Sequence, residues 1–581
     1  MISSNYFTED EDLKIIFKEL VDWPSIIEEC EGENFIEHQK YLDSKNPNYE
    51  MAPSTWEEAY ELYESSLDSL GEFFGKEVSQ SSQAMDKNEL MYKDGKVIFP
   101  QETIDIYEKF RNTGLLSYSI SREAGGLGFP ATMGAFFVLV MARADVSFCM
   151  TITLLNLAQI VSRYGTKEQI DTFANSAATG ESLFAMALTE PDFGSDLNSI
   201  RTIAEKQADG SYRITGTKRF ISQGCGLGER PSLLLTLART GKQGGGARGL
   251  SVFIVKSSDV DIAGIEKKMG IHASPTCEIV YENTPAELLG EEGLGLTRYT
   301  AGMTNFMRLG SAAGGPGGAA GVYFESKKYA QERLQFGKPI AEIPAVDEML
   351  QKIKREMNAM RLLVIETGRV VDMYQHHQIR MEKAGKEDRE IRKDEKVKFW
   401  STIASILTPI AKYYGSEEGH KIASIGVQIH GGAGYTEDYD VSRMFRDSRI
   451  NTIYEGTSQI HVRIATGAIL AGMNGEGNFR KYLTDLKNDI SNPSKYLLEQ
   501  NEILEDSINK LRNIKMDDTK ERLAENLMIS TSRYLCTILY ERAVMKLSNQ
   551  DVRSRWLYDC KSYSIESAAI AKYCNYRISN Y

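Results

Sequence analysis

From about residue 54 to 180 apolar positions recur three and four apart, as in TWEEAYELYESSLDSLGEFFGKEV and GAFFVLVMARADVSF, the spacing that lays one stripe along a helix. Near 186 the period shortens to two. SYRITGTKRFIS, SLLLTLAR, GLSVFIVK and CEIVYEN read as strands, set off by Gly, Asp and Asn turn signals up to about 290. The helical period returns over about 297–375 and 395–470, the polar bridge AGKEDREIRKDEK between them being an exposed connection. It continues to 581, where Leu504, Ile508 and Leu511 share one stripe. The pattern predicts an α+β, mainly α chain in five segments. These are an N-terminal extension (1–53), an N-terminal helical domain (54–185), a middle β-barrel-like domain (186–296), a C-terminal four-helix-type bundle (297–470) and an additional helical domain (471–581).

Composition narrows the class. A chain of 581 residues with 42% hydrophobic content can bury a large core. No long uninterrupted apolar run stands out, and MISSNYFTEDEDLK lacks the basic-then-apolar layout of a signal peptide, so the expectation is a cytoplasmic protein with no membrane span. The seven cysteines are scattered without a CxxC pair and read as reduced packing residues. No HExxH occurs, His376 and His377 sit in the polar run YQHHQIR, and no metal is expected. The net charge of -13 is uneven: residues 1–50 hold thirteen Asp/Glu against four Lys, read as a solvated acidic face that disfavours nucleic acid or anionic membrane as partners.

Candidate chemistry lies in a few short stretches. In INTIYEGTSQIH (450–461) a lone carboxylate, Glu455, stands before a helix that Thr457 would cap, and a helix-end role explains such a residue by itself. MALTEPDFGSD (186–196) is a turn that exposes Thr189 and Ser195 hydroxyls and backbone N–H groups, able to hydrogen-bond a flat polar ring. KRFISQG (218–224) puts Phe220 and Ser222 on one strand face. RLQFGKPI (333–340) and VQIHGGAGYTED (427–438) each follow a long helix, with Arg333 able to meet a pyrophosphate and the glycines allowing close backbone approach. The glycine-rich SAAGGPGGAAG (311–321) has no strand before it and reads as close helix packing, not a dinucleotide loop; no phosphate loop or nucleophile elbow is present.

These four pieces, in this order and with YEGTSQ last, closely resemble the acyl-CoA dehydrogenase family over about 60–470, and the longer layout is similar to its enlarged members with segments added at both ends. The resemblance implies that Leu188, Thr189, Gly194, Ser195, Phe220 and Ser222 hold the flavin ring of FAD. It implies that Arg333, Gln335 and Phe336, and then Gln428, Ile429, His430, Gly431 and Gly432, reach the FAD of a neighbouring subunit, while Gly456, Thr457, Ser458 and Gln459 complete its binding. A homodimer is then the least assembly that makes a whole site, with a tetramer as the larger form. Glu455 matches the family's base, which removes a proton α to the thioester carbonyl as a hydride leaves the β carbon for the flavin. Some relatives place the base on the helix corresponding to TNFMRLG; here that position is Met307, and no acid stands nearby. Ser195, Asn305, Arg308, Tyr454 and Glu455 match positions at the bound acyl-CoA. Three departures stand out: Phe220 where many members have tryptophan, Ile343-Pro344 in place of a polar pair, and Thr466-Gly467 in place of a charged pair. The implied activity is the conversion of a saturated acyl-CoA to a trans-2-enoyl-CoA in fatty acid β-oxidation, with electrons passed to an electron-transfer flavoprotein. An acyl-CoA oxidase and a non-catalytic flavin-containing binding protein on the same fold are the alternatives.

Overall fold

A computed structural model describes residues 5–241, 245–514 and 517–581, the side chains of 305, 306 and 517 lying outside the description. The chain forms two compact units, each assembled from separated stretches: 5–6, 31–130 and 144–307 in the first, and 7–30, 131–143 and 308–581 in the second.

The first unit joins helices such as Trp56–Phe73, Gln101–Arg111 and Val146–Leu155 to a sheet. A hairpin that periodicity does not reveal, β1 (Met91–Lys93) and β2 (Lys96–Ile98), turns on Asp94-Gly95, both with positive φ. The sheet comprises β3 (Leu183–Ala187), β4 (Ile203–Lys206), β5 (Tyr212–Ser222), β6 (Ser232–Arg239), β7 (Leu250–Lys256), β8 (Asp261–Ile265) and β9 (Thr276–Leu289). Its pairings run β6 to β4, β4 to β5, β5 to β9, β9 to β7 and β7 back to β6, so the strands close on themselves around Ile214, Leu234, Phe253, Ile279 and Tyr281. The 146–164 run is apolar enough to resemble a membrane span, which its threonines and serines hide from a reading of unbroken apolar runs, and 78% of it is buried inside the protein. The expected helical, β-sheet and helical layout, mainly α, is what the chain adopts.

The second unit is a helical bundle: α1 (Ala131–Ala144), α2 (Ala301–Glu332, from 308 onward), α3 (Pro344–Lys383), α4 (Glu395–His430) and α5 (Ser458–Gly472). A Cβ added to Gly315 on α2 would lie 2.0 Å from the carbonyl oxygen of Gly415 on α4, so the two backbones touch and only glycine fits. That is the work of the glycine-rich stretch. Four more helices, α6 (Asn478–Asn488), α7 (Lys495–Asn513), α8 (Asp517–Lys546) and α9 (Gln550–Ser579), pack on this same bundle. Their polar contacts are buried: Arg533 donates to Glu356 at 3.2 Å, Tyr414 meets Tyr563 at 2.7 Å, and Lys354 donates to Asp559 at 3.0 Å.

Four of the thirteen acids of this start depart from the expectation of a solvated face, the other nine being exposed or half-buried. Asp10 and Asp12, with Glu29, are buried in the second unit and Glu31 in the first. Asp10 pairs with Arg361, Asp12 accepts from Arg555 at 2.8 Å and Trp556 at 3.0 Å, and Arg122 grips both oxygens of Glu31 at 2.9 Å. Counting charges could not reveal this, because the compensating cations lie up to 543 residues away.

Candidate active site

Glu455 sits in the short turn between a 3-10 segment, Arg449–Thr452, and α5. Its φ of 56° and that of Gly456, 95°, put two successive residues in the left-handed region, a strained conformation for a glutamate. The turn is fixed from behind by His461, fully buried, whose Nε2 lies 3.1 Å from the Glu455 carbonyl oxygen. A carbonyl only accepts, so the proton is on Nε2; burial and the nearby cations Lys412 and Arg308 pull the imidazole down to about 3 and keep it neutral. Thr457 occupies the cap position, as expected, although its hydroxyl makes no capping bond.

Among the described residues, Oε2 of Glu455 is a buried carboxylate oxygen without a hydrogen-bond partner. Burial pushes this carboxyl up to about 7, against the attraction of Arg308 on α2 and Lys412 on α4. Lys412 is 1% exposed; it donates to the Asn451 carbonyl and its ammonium stands 5.2 Å from the Tyr454 ring centre. Burial pulls it down to about 7, with Glu455 and Glu417 opposing that and Arg308 adding to it. Glu455, Arg308 and Tyr454, named from the sequence, thus come together, and they gather Lys412 and His461, which were not. A lone lysine in LTPIAKYYG and a histidine at the end of the quoted stretch were the available signals. Ser458 spends its hydroxyl on Glu417 at 2.5 Å, leaving only backbone for a cofactor.

In the first unit the turn after β3 is tied to β5. Lys218, wholly buried, donates to the Leu188 carbonyl and to Glu190, each at 2.9 Å, and Arg219 N–H donates to the Thr189 carbonyl at 2.9 Å. Burial lowers Lys218 to about 8 against the pull of Glu190. The strand then breaks register between Lys218 and Ile221, and Phe220, at φ 63°, turns its ring outward, 54% exposed. Ser222 is half-buried two residues on; Gly194 and Ser195 are exposed on the turn, and a Cβ at Gly194 would meet only Thr189, at 3.8 Å. The Arg219 guanidinium lies 5.1 Å from the centre of the Phe220 ring, and an exposed aromatic ring in the same unit as the Thr189, Ser195 and Ser222 hydroxyls is chemistry that suits a flat polar ring. The Leu188 side chain is core, and its carbonyl accepts from Lys218. The Lys218 and Glu190 pair was legible only as an unremarkable charged strand residue.

Arg333, Gln335 and Phe336 lie on a hairpin of β10 (Leu334–Gln335) and β11 (Lys338–Pro339), where Phe336 is 93% exposed at the left-handed turn. Gln428, Gly431 and Gly432 are exposed too, and Gly431, at φ 59° and ψ -135°, holds a conformation open to glycine alone. Ile429 and His430 are differently placed. Both side chains are buried, the His430 ring stacked 4.2 Å from Tyr329 with Nδ1 at 2.8 Å from the Gly426 carbonyl oxygen, so they pack the helix end and offer no side chain to a ligand. Gly456 is half-buried and Gln459 exposed. The side chain of Asn305 lies outside the described residues. Cys30, Asp372 and His376 bring three potential metal ligands within 4.8 Å, but both Asp372 oxygens already accept from the start of α1, at 2.6 to 2.9 Å from Ala131 and Thr132.

Three family models match along the chain: acyl-CoA dehydrogenase, N-terminal domain, over 63–181; middle domain, over 185–284; and C-terminal domain, over 293–388 and 390–470. The chain is 32% identical over 423 residues to 3-methylmercaptopropionyl-CoA dehydrogenase of Ruegeria pomeroyi, covering 69% of each. It is 33% identical to the caffeyl-CoA reductase-Etf complex subunit CarC of Acetobacterium woodii, over 64% of this chain and 90% of that one. The fold is similar to a Bacillus anthracis acyl-CoA dehydrogenase crystallised with FAD, at TM-score 0.75 and 24% identity, over 89% of this chain and 88% of that one. The chain belongs to the acyl-CoA dehydrogenase family of flavoprotein oxidoreductases.

Proposed function

We propose that the protein binds FAD and dehydrogenates a saturated acyl-CoA thioester to the trans-2-enoyl-CoA, with Glu455 as the base, as one step of fatty acid β-oxidation. The observation that carries this is the partnerless buried oxygen of Glu455, held on a strained turn within the electrostatic reach of Arg308 and Lys412. A carboxyl ionising near 7 is a far better proton acceptor than a solvated one and is still ionised in half the molecules at neutral pH. Arg308 and Lys412 oppose its protonation at rest, and His461 fixes its aim through the backbone. FAD, when bound, supplies the acceptor for the β-hydride. Thr189, Ser195, Phe220 and Ser222 would cradle its ring, with the backbone of Leu188 and Gly194. Arg333, Gln335, Phe336, Gln428, Gly431, Gly432 and the Gly456–Gln459 backbone would take its remainder, part of it from a second subunit.

The exposure of the Phe336 hairpin and of Gly431-Gly432 supports a homodimer, and the location follows the sequence reading of a cytoplasmic protein. A relative named as a reductase-Etf complex subunit supports an electron-transfer flavoprotein as partner, and it raises a second reading, reduction of an enoyl-CoA. The near-neutral Glu455 suits that direction equally, as proton donor.

The test is to mix the flavin-loaded protein, free of oxygen, with a panel of saturated acyl-CoAs and follow the flavin absorbance. Bleaching by one of them, with reoxidation by electron-transfer flavoprotein faster than by oxygen, is expected. No bleaching by any acyl-CoA, together with oxidation of the dithionite-reduced protein by an enoyl-CoA, selects the reductase; fast reoxidation by oxygen selects an oxidase. Inertness in both directions leaves a binding protein.

A further inference from the structure

Lys412 lies where a lysine is costly. It is 1% exposed in the middle of α4, and taking an ammonium out of water costs several kcal/mol unless an anion compensates. Among the described residues no carboxylate is in contact with its Nζ, which donates to one backbone oxygen, that of Asn451, and lies over the face of Tyr454. Both belong to the segment that leads directly into Glu455. The charged or titratable groups around it are Arg308 from α2, Glu417 from its own helix, Glu455 from the turn and His461 from α5. Glu417 is engaged with Ser458 and His461 is neutral. Glu455 is left as the anion that Lys412 answers to.

We propose that Lys412 is a positioning residue for the base: its ammonium, anchored on Asn451 and lying over Tyr454, holds the turn that presents Glu455 and keeps the Glu455 carboxyl ionised. This rests on the reading of Glu455 as the base. Two roles combine here and can be separated. A clamp needs only a donor for the Asn451 carbonyl; an electrostatic partner needs the charge. Arg308 alone would remain beside Glu455 if the charge of Lys412 were removed, and the carboxyl would then ionise at higher pH.

The experiment is the pH profile of flavin bleaching by acyl-CoA in the flavin-loaded Lys412→Met, Lys412→Gln and Lys412→Arg variants. Both neutral variants should move the acidic limb upward by about one pH unit or more, so that the rate deficit near pH 6 exceeds that near pH 9 by roughly tenfold. Lys412→Arg should return the limb to its wild-type position. Lys412→Gln retains a donor for Asn451, so it decides the matter if Lys412→Met fails to hold flavin. A profile unmoved in the neutral variants, or a deficit equal at every pH, would overturn the proposal, because Lys412 would then hold the turn without keeping the carboxyl ionised. Glu455→Gln separates this from the parent reading. If that variant bleaches at the wild-type rate, the base itself is misassigned; if it is dead while Lys412→Gln keeps the wild-type profile, only the role of Lys412 falls.

Discussion

His461 holds Glu455 by its backbone, not its side chain: Nε2–H of the buried imidazole is donated over 3.1 Å to the Glu455 carbonyl oxygen, while the carboxylate is left free to react. A left-handed glutamate reverts to ordinary φ unless something overrules it. His461→Leu should therefore lower the rate of flavin bleaching by roughly ten- to a hundredfold with flavin content preserved, since a misplacement of about 1 Å suffices for such a loss. His461→Gln, which keeps a donor, should recover most of it. Stopped-flow reduction at saturating acyl-CoA measures both, and a wild-type rate in the leucine variant would show that the turn holds itself.

The carboxyl of Glu455 also makes stability depend on pH. Folded, it ionises near 7 and not near 4.5, so between those values the native state keeps a proton that the unfolded chain has released. The raised value means that the full stability is present below about pH 4.5 and is lost as pH climbs through about 7. Glu455→Gln escapes that loss. At about pH 8 and matched flavin content it should be more stable than wild type by roughly 1–3 kcal/mol, the range allowing for solvent reaching a half-buried group, and near pH 4 the two should melt alike. Calorimetry at the two pH values checks this, and equal melting at both counts against a near-neutral Glu455.

Removing the ammonium of Lys218 strands Glu190 in the first unit. Lys218→Met should cost roughly 3–5 kcal/mol, the usual result of breaking a buried pair on one side, and should loosen the Leu188–Asp196 turn that Lys218 ties to its strand. Loss of flavin before loss of helical signal in a urea titration is the expected order. Coincident transitions would mean that the pair supports the unit as a whole and not the turn.

The crossing of α2 and α4 sets the spacing of Arg308 and Lys412, the two cations near Glu455. A methyl on Gly315 would press on the Gly415 carbonyl at 2.0 Å, and one on Gly415 would lie 2.6 Å from the Ala312 carbonyl. Gly315→Ala should destabilise by roughly 1–3 kcal/mol and, by separating Arg308 from Lys412, shift the pH profile of bleaching as well. Gly467→Ala, on an open face of α5 with nothing near its added methyl, is the control: it should stabilise slightly, by about 0.5–1 kcal/mol, and leave the pH profile unchanged. If the two variants denature at the same urea concentration, the crossing is not the close contact described.

The helices, the strands and the order of the four motifs were legible because period and turn chemistry are local. The Asp94-Gly95 hairpin escaped only because its strands are three residues long and exposed. What the sequence hid is what depends on distant residues. Leu188, Ile429 and His430 stand in motifs for which the family resemblance implies a cofactor contact, but which of them can offer side chain and which only backbone is decided by packing from Tyr329 and Lys218. Lys412 and His461 were invisible as site residues because each becomes meaningful only when a helix passes the Glu455 turn. The acids of the first fifty residues misled in the same way, their partners being far along the chain.

The grip on Asp12 has a consequence for biosynthesis. Its carboxylate is completed by Asn358 at 3.0 Å and then by Arg555 and Trp556, the last 544 positions downstream. A ribosome therefore emits this buried acid long before the groups that neutralise it exist. The 31–130 and 144–307 stretches can close their sheet while translation continues, whereas the second unit keeps its first helices waiting until α9 emerges. Ribosome-bound nascent chains halted after residue 475 should expose 7–30 to protease, and chains carrying all of α9 followed by a linker long enough to clear the exit tunnel should protect it, which makes the docking of α9 the step that commits the second unit to its folded state.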